Sequence, residues 1–431
     1  MTKRTAYLNA RLLDPTNQMD IVGDLLVENG KITDFGPGTF KAGMLSPNQT
    51  VDCSGLCLSP GLFDIRVQVR EPGEEHKESI ATASEAAAAG GVTAMCCLPN
   101  THPVIDDVSV LEFIARRARE IKSVKLFSYG TLTRGLEGQE LTEMALLSET
   151  GALAFTDGVK AVHDPLVLRR ALSYARTFDL LIVQHPEDER LVDDGVMNEG
   201  EVATRLGLPG IPAVAEVMAI ERDLRILSLT GGRYHAAHVS TAAAIDAIRK
   251  AKRDGYDVTC DTAPHYFALN ETAVGDYRTF AKVSPPLRDE TDRRAVVEGL
   301  ADGTIDIIAS DHAPHDEDSK RLPFVQAEFG IIGLETLLPL TLELYHNGDM
   351  SLLDALAKVT SKPAGLLGCP FGRLESGAPA DLLIFDPDKP RQIDETTFRS
   401  KSKNSPFDMR PVQGVVRRTV VEGRTIYEAE A

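Results

Sequence analysis

Histidine and aspartate recur in this sequence where they could act together. His185, His238 and His265 each follow a short apolar run, as does Asp157, and a later run is followed by Asp311-His312-Ala-Pro-His315. Imidazole and carboxylate are the ligand types of a hydrolytic Zn²⁺ site, in which the metal lowers the pKa of a bound water and polarises a carbonyl. Asp311, after the last run, is placed to take the proton from that water. A single histidine at such a position is ordinarily a hydrogen-bonded structural residue. Several on one rim, with two aspartates, argue for a site. Arg66, Gln68, Arg70 and Glu71 follow the first run and Pro99-Asn100-Thr101 the second, adding guanidinium and amide groups.

These residues meet only if the apolar runs are parallel strands whose C-terminal ends share one rim. The candidate strands are 62–69, 92–98, 124–129, 152–156, 180–184, 233–238, 257–261 and 305–310. Helical stretches lie between them, among them 84–89, 109–121, 166–176 and 241–251. The alternation predicts an α/β fold, a (β/α)8 barrel of the TIM type over residues 59–368. No Gly-rich dinucleotide loop follows any strand, which counts against an open doubly wound sheet. Both ends of the chain are rich in short strands with turn signals, such as Asn29-Gly30, which suits the positive φ of a tight hairpin. Residues 1–58 and 369–431 are therefore expected to build one small β-sandwich from both termini. Lys401-Ser-Lys-Asn-Ser405 reads as a surface loop, and Gly330-Ile-Ile-Gly333 as a loop able to cover the pocket.

The chain has 431 residues, 43% hydrophobic and 26% charged, as in globular proteins rather than disordered or fibrous ones. Its net charge of −18 disfavours nucleic acid and anionic membrane as partners, so an anionic ligand needs a local basic pocket. Six sparse cysteines form no zinc-ribbon spacing and read as reduced, packed thiols. With no signal-like N-terminus and no run of about 18 apolar residues, the expected compartment is the cytoplasm.

The ordered motifs Leu58-Ser-Pro-Gly-Leu-Phe-Asp64, Arg70-Glu-Pro-Gly73, Leu98-Pro-Asn-Thr-His-Pro103, His185-Pro-Glu-Asp188, His238-Val-Ser-Thr241, Ser284-Pro-Pro-Leu-Arg288, Asp311-His-Ala-Pro-His315 and Gly333-Leu-Glu-Thr336 span most of the chain. Together they resemble those of class I dihydroorotases in the amidohydrolase superfamily. Arg-Glu-Pro-Gly with Pro-Asn-Thr favours that family over hydantoinases and allantoinases. The resemblance implies the interconversion of N-carbamoyl-L-aspartate and dihydroorotate in pyrimidine synthesis, with zinc activating the water. It implies substrate contacts from Arg70, Asn100 and His315, where guanidinium and amide suit a carboxylate. It further implies metal ligation by His185, His238 and Asp157, acid/base work by Asp311, and association into a homo-oligomer.

One departure changes the chemistry. The family reads Asp-x-His-x-His after the first strand, whereas this chain reads Asp64-Ile-Arg-Val-Gln68. Arginine has no acceptor lone pair and carries its own charge. Arg66 and Gln68 thus replace two ligands, and the Arg66 guanidinium is expected to pair with Asp157 or Asp311 in place of the metal's charge. Ser284 also stands where the family has Asn. At most one zinc ion, or none, is expected, held by His185, His238 and a carboxylate. Lys160, three residues beyond Asp157, reads as a surface lysine rather than a carboxylated bridging ligand. Two main functions follow: a working dihydroorotase, or a catalytically silent dihydroorotase-like subunit associated with aspartate transcarbamoylase, since the family includes degenerate members without His-x-His. An amidase acting on another ring, as hydantoinase or allantoinase does, is a third.

Overall fold

The structure, a computed structural model, describes residues 4–41, 46 and 49–430. Strand β1 (Arg4–Asp14) pairs antiparallel with β2 (Met19–Glu28), which turns through Asn29 and Gly30, both at positive φ, into β3 (Lys31–Gly36). This is the tight hairpin that Asn-Gly encodes. Two short strands, β4 (Thr50–Asp52) and β5 (Cys57–Pro60), then run parallel to β1.

The barrel follows. Its first strands are β6 (Leu62–Val67), β7 (Val92–Cys97), β8 (Lys125–Gly130), β9 (Ala152–Phe155) and β10 (Leu181–Gln184). A two-stranded excursion pairs β11 (Met197–Asn198) with β12 (Gly210–Ile211), and β13 (Arg233–Ala236), β14 (Val258–Thr262) and β15 (Ile307–Ile308) complete the set. The barrel strands lie side by side in chain order. The Gln68 N–H donates to the His312 carbonyl at 2.9 Å, joining the end of the first strand to the segment after the last.

Local sequence fixes where the crossover helices begin. Ser79, Asp107, Asp164, Thr241 and Asp289 each accept a backbone N–H in the first turn of helices Ile80–Ala89, Val108–Ile121, Pro165–Thr177, Ala242–Arg253 and Glu290–Ala301. Each cap marks where a loop must end, so the polar residues between strand end and cap stay at the rim. The barrel interior is filled by inward side chains, among them Phe63, Ile65, Cys96, Ala154, Val183 and Ala309, joined by Leu367 and Phe371. The rings of Phe63 and Phe371 stand 5.1 Å apart, edge to face. Burying each of the larger ones, such as Phe63, Ile65 and Val183, contributes roughly 1.5–3 kcal/mol. Cys97 points the other way, into the layer between barrel and helices.

The chain returns to the flanking sheet with β16 (Leu382–Gln392), β17 (Pro411–Val421) and β18 (Arg424–Glu428). β16 pairs antiparallel with β5, so strands from both ends of the chain join in one sheet in the order β18-β17-β16-β5-β1-β2-β3. The expected sandwich is one continuous sheet that curls on itself. Its two outer hairpins meet where a side chain on Gly423 would fall 3.0 Å from the Gly30 Cα. Tyr7, Leu12, Leu25, Ile32, Leu382 and Val420 share the enclosed core.

The segment 401–405 differs from its expectation. Lys401 is exposed, but Ser402, Asn404 and Ser405 are buried, because the segment leaves the sheet to pack on the barrel rim. The Ser402 hydroxyl donates to the Lys77 carbonyl at 2.7 Å. No helix among the described residues is long and apolar enough to cross a membrane.

Candidate functional site

A cavity of about 260 Å³ opens at the C-terminal ends of the barrel strands. Arg66, Gln68, Arg70, Asn100, His238, Ser284, Asp311 and His315 line it, with Phe329 and Gly330 from the loop after the last strand. Rim residues of different strands thus converge as the barrel pattern predicted. Three of them, Arg70, His238 and Asp311, hold positive φ values of 61°, 37° and 52°. For residues with a side chain such conformations cost of order 1–3 kcal/mol each and persist only where surrounding bonds fix them.

Arg66 is 2% exposed, and its Nε donates to Asp311 Oδ1 at 2.8 Å while Nη2 reaches the Gly158 carbonyl at 3.3 Å. Of the two partners expected from the sequence, Asp311 is the one it takes. Burial alone would raise the Asp311 carboxyl, but the Arg66 charge, with the hydrogen bond of His238, overcomes it and holds the group far below the ordinary carboxylate range. Beneath this pair lies Asp64, fully buried, whose Oδ1 accepts the backbone N–H groups of Arg66 and Ser310, both at 3.1 Å. Burial pushes its carboxyl up to about 7, against those two bonds.

The histidines form a chain of their own. His185 Nδ1 and His238 Nε2 are 2.7 Å apart, and His185 Nε2 lies 3.1 Å from Glu187 Oε2, which also accepts the Ser284 hydroxyl at 2.5 Å. Burial works to raise the Glu187 carboxyl, yet the hydrogen bond and charge of His185 hold it low. His238 is pushed down to about 4 by burial and by the Arg66 charge, so its ring is neutral at pH 7. Its Nδ1 faces Asp311 Oδ2 at 3.4 Å. Its backbone N–H is held at 2.7 Å by Asp261, whose other oxygen binds His235 at 2.8 Å. His265 is buried and pushed down to about 4 by that burial, with no hydrogen-bond partner at either ring nitrogen.

The residues present do not fit the zinc centre expected from the sequence. Both oxygens of Asp157 are taken: Oδ1 accepts Leu132 N–H at 3.0 Å and Thr133 N–H at 2.8 Å, and Oδ2 binds the Thr133 hydroxyl. Of the tentative ligand set, the structure brings His185 and His238 together, while the Asp157 carboxylate is engaged by this competing turn. Among the described residues no three His, Cys, Asp or Glu side chains converge as metal ligands. A cation beside Asp311 would also meet the Arg66 guanidinium, which already neutralises that carboxylate. Lys160 is exposed, as expected.

The remaining lining suits an anion. Arg70 is buried, with Nε on the Pro314 carbonyl at 3.1 Å, Nη1 on Glu74 at 2.8 Å and Nη2 3.1 Å from His315 Nε2. Burial and the Arg70 charge press His315 down to about 2, so its ring stays neutral. The Asn100 amide donates to Gln68 Oε1 at 3.1 Å. The far wall is pinned by two buried lysines. Lys282 donates to the carbonyls of Phe324 and Val325 at 2.9 Å and of Ala327 at 2.6 Å, and Lys320 to that of Glu328 at 2.6 Å. Gly330 does line the pocket, as the expected covering loop would.

Sequence reasoning missed Glu187 and Ser284 as partners of His185, although both stand inside motifs already on view. It assigned nothing to His235, which reaches the site through Asp261. It also missed Asp64, Lys282 and Asn404, whose polar character argues for exposure and whose roles depend on distant partners.

The Dihydro-orotase-like family model matches residues 55–244, and the Amidohydrolase family model residues 286–427. The Dihydroorotase of Anaplasma phagocytophilum (strain HZ) is 49% identical over 99% of this chain and 95% of its own. Those of Wolbachia sp. subsp. Drosophila simulans (strain wRi) and Syntrophotalea carbinolica are 48% and 47% identical, over 99% and 97% of this chain and 96% and 98% of theirs. Among solved structures, the L-hydantoinase (dihydropyrimidinase) from Arthrobacter aurescens superposes with a TM-score of 0.87 at 26% identity, over 98% of this chain and 96% of that one. Identity near one half over almost the full length of both chains joins the barrel, the rim and the motif order in one conclusion: this chain belongs to the dihydroorotase family of amidohydrolases.

Proposed function

We propose that this chain acts in de novo pyrimidine synthesis by binding dihydroorotate or N-carbamoyl-L-aspartate in a metal-free pocket, as a catalytically silent barrel that partners aspartate transcarbamoylase. The observation that carries the reading is the buried Arg66–Asp311 pair. It neutralises the family's acid/base carboxylate with a fixed organic cation. Hydrolysis of a ring amide needs an activated water, and a carboxylate held far below its ordinary range by a guanidinium is a poor base for making one. Arg70 and Asn100 remain available to a ligand carboxylate, which favours dihydroorotate over the uncharged rings that a hydantoinase takes.

A second reading, turnover as a dihydroorotase, is favoured by relatives of that name at 46–49% identity. Calorimetric titration of the purified protein with dihydroorotate, and turnover with and without added Zn²⁺, separate the two. The proposal expects binding that survives chelator, no zinc-responsive turnover, and co-elution with aspartate transcarbamoylase. Zinc-dependent hydrolysis establishes the second reading, and absence of binding removes both ligands.

A further inference from the structure

Asn404 lies in the segment between β16 and β17, yet its side chain is buried at the pocket, 1% exposed. Its Oδ1 accepts the His315 N–H at 3.2 Å, and its Nδ2 donates to the carbonyls of Ala313 and Gly330, each at 3.1 Å. Its own carbonyl accepts the Ile332 N–H at 3.1 Å. One amide thus ties together the two rim segments, 313–315 and 330–332, that carry His315 and Gly330. The packing between them leaves no slack, since a side chain on Gly330 would fall 3.2 Å from His315 Nε2 and 2.7 Å from the Ala313 Cβ.

We propose that Asn404 is a positioning residue for anion recognition: it fixes the backbone of His315 so that the imidazole stands beside Arg70 at the pocket wall. An asparagine with both polar atoms engaged holds this geometry in one rotamer. Without it, the backbone of 313–315 keeps the Ala313 N–H bond to the Ile331 carbonyl, 2.7 Å, and the His315 ring its contact with the Phe329 carbonyl, 2.8 Å, but the His315 N–H loses its acceptor. A displacement near 1 Å at a binding group is enough to unseat a charged ligand. The inference rests on the ligand proposed above.

The test compares wild type, N404A and N404D for binding of dihydroorotate and of dihydrouracil, the same ring without the carboxylate. N404D keeps the acceptor for the His315 N–H but sets an oxygen against two carbonyls, and it serves if N404A fails to fold. S402A loosens the same segment away from the pocket. A second readout is the ring signal of His315 in histidine-labelled protein, assigned by its loss in H315Q. We expect N404A and N404D to weaken dihydroorotate at least about tenfold, to leave dihydrouracil within about twofold, and to shift the His315 signal, with S402A like wild type throughout. Unchanged preference for the carboxylated ring with an unmoved His315 signal overturns the inference, as does equal loss for both rings. If wild type binds neither ring, the proposed ligand is wrong, and the His315 signal alone decides: moved in N404D it upholds the positioning role, unmoved it refutes it.

Discussion

Replacing Arg66 by Met retains an apolar stem while removing the guanidinium. Asp311, only 13% exposed, then loses its 2.8 Å partner, and the Gly158 carbonyl loses a donor. Breaking a buried pair by removing one member costs about 3–5 kcal/mol, because the remaining charge is left uncompensated. Unfolding entropy of about 2.1 cal/mol/K per residue over 431 residues gives about 0.9 kcal/mol/K, so the melting temperature falls by roughly 3–6 °C if the chain unfolds in one step. The pH dependence has a definite sign. In wild type the folded Asp311 carboxyl lies below its unfolded value near 3.9. Its stabilisation is therefore fully present above that value and is lost only as pH falls through the folded one. R66M removes the largest of the charges that lower the carboxyl, and with His238 and His265 left to oppose burial the carboxyl is expected to rise above its unfolded value. The variant's deficit is then largest at pH 8 and shrinks toward pH 5.5 as Asp311 takes up a proton. Calorimetric melting of both proteins at the two pH values measures it. A drop below 1 °C at pH 8, or a deficit that widens on acidification, refutes the claim that Arg66 carries the metal's electrostatic role.

Two further outcomes follow from the same geometry. The double variant R66H/Q68H restores the family's His-x-His, and zinc analysis of the dialysed protein is expected to rise from below 0.2 to at least one ion per chain, roughly. A content unchanged from wild type shows that the Asp157 turn also bars the metal. K282M strips three carbonyls of their buried donor, at about 1–3 kcal/mol of local stability, and trypsin is expected to cut after Arg321 at least about tenfold faster. Equal cleavage rates in variant and wild type mean that the loop is held by other contacts.

Much of the fold was legible because its signals are local. Apolar runs of five to eight residues marked the barrel strands, and the helix expected at 84–89 begins earlier, at Ile80, where Ser79 caps it. The site was legible to the same depth, since barrel geometry carries whatever follows a strand to the common rim. The charge of Arg66 pointed to Asp157 or Asp311, and the structure takes the second. What escaped is polar burial satisfied at long range. Asn404 binds residues about ninety positions away, and Lys282 three carbonyls more than forty positions on. Residue type alone places such groups in water. Asp157 failed for a related reason: its strand-end position was read correctly, but the backbone donors of Leu132 and Thr133 that claim its oxygens leave no trace in local sequence.

The flanking sheet joins the last strands to be made to the edge of the first. On the ribosome β5 emerges early, and its partner β16 only after the whole barrel has been translated, tens of seconds later at roughly 5–20 residues per second. Throughout that interval the outer edge of β5 is an unpaired template for another chain. Residue 404, which braces the rim, arrives later still, so the pocket is finished last. A ribosome that stops before β16 therefore releases a barrel with an open sheet edge and a slack rim, both of which the finished protein conceals.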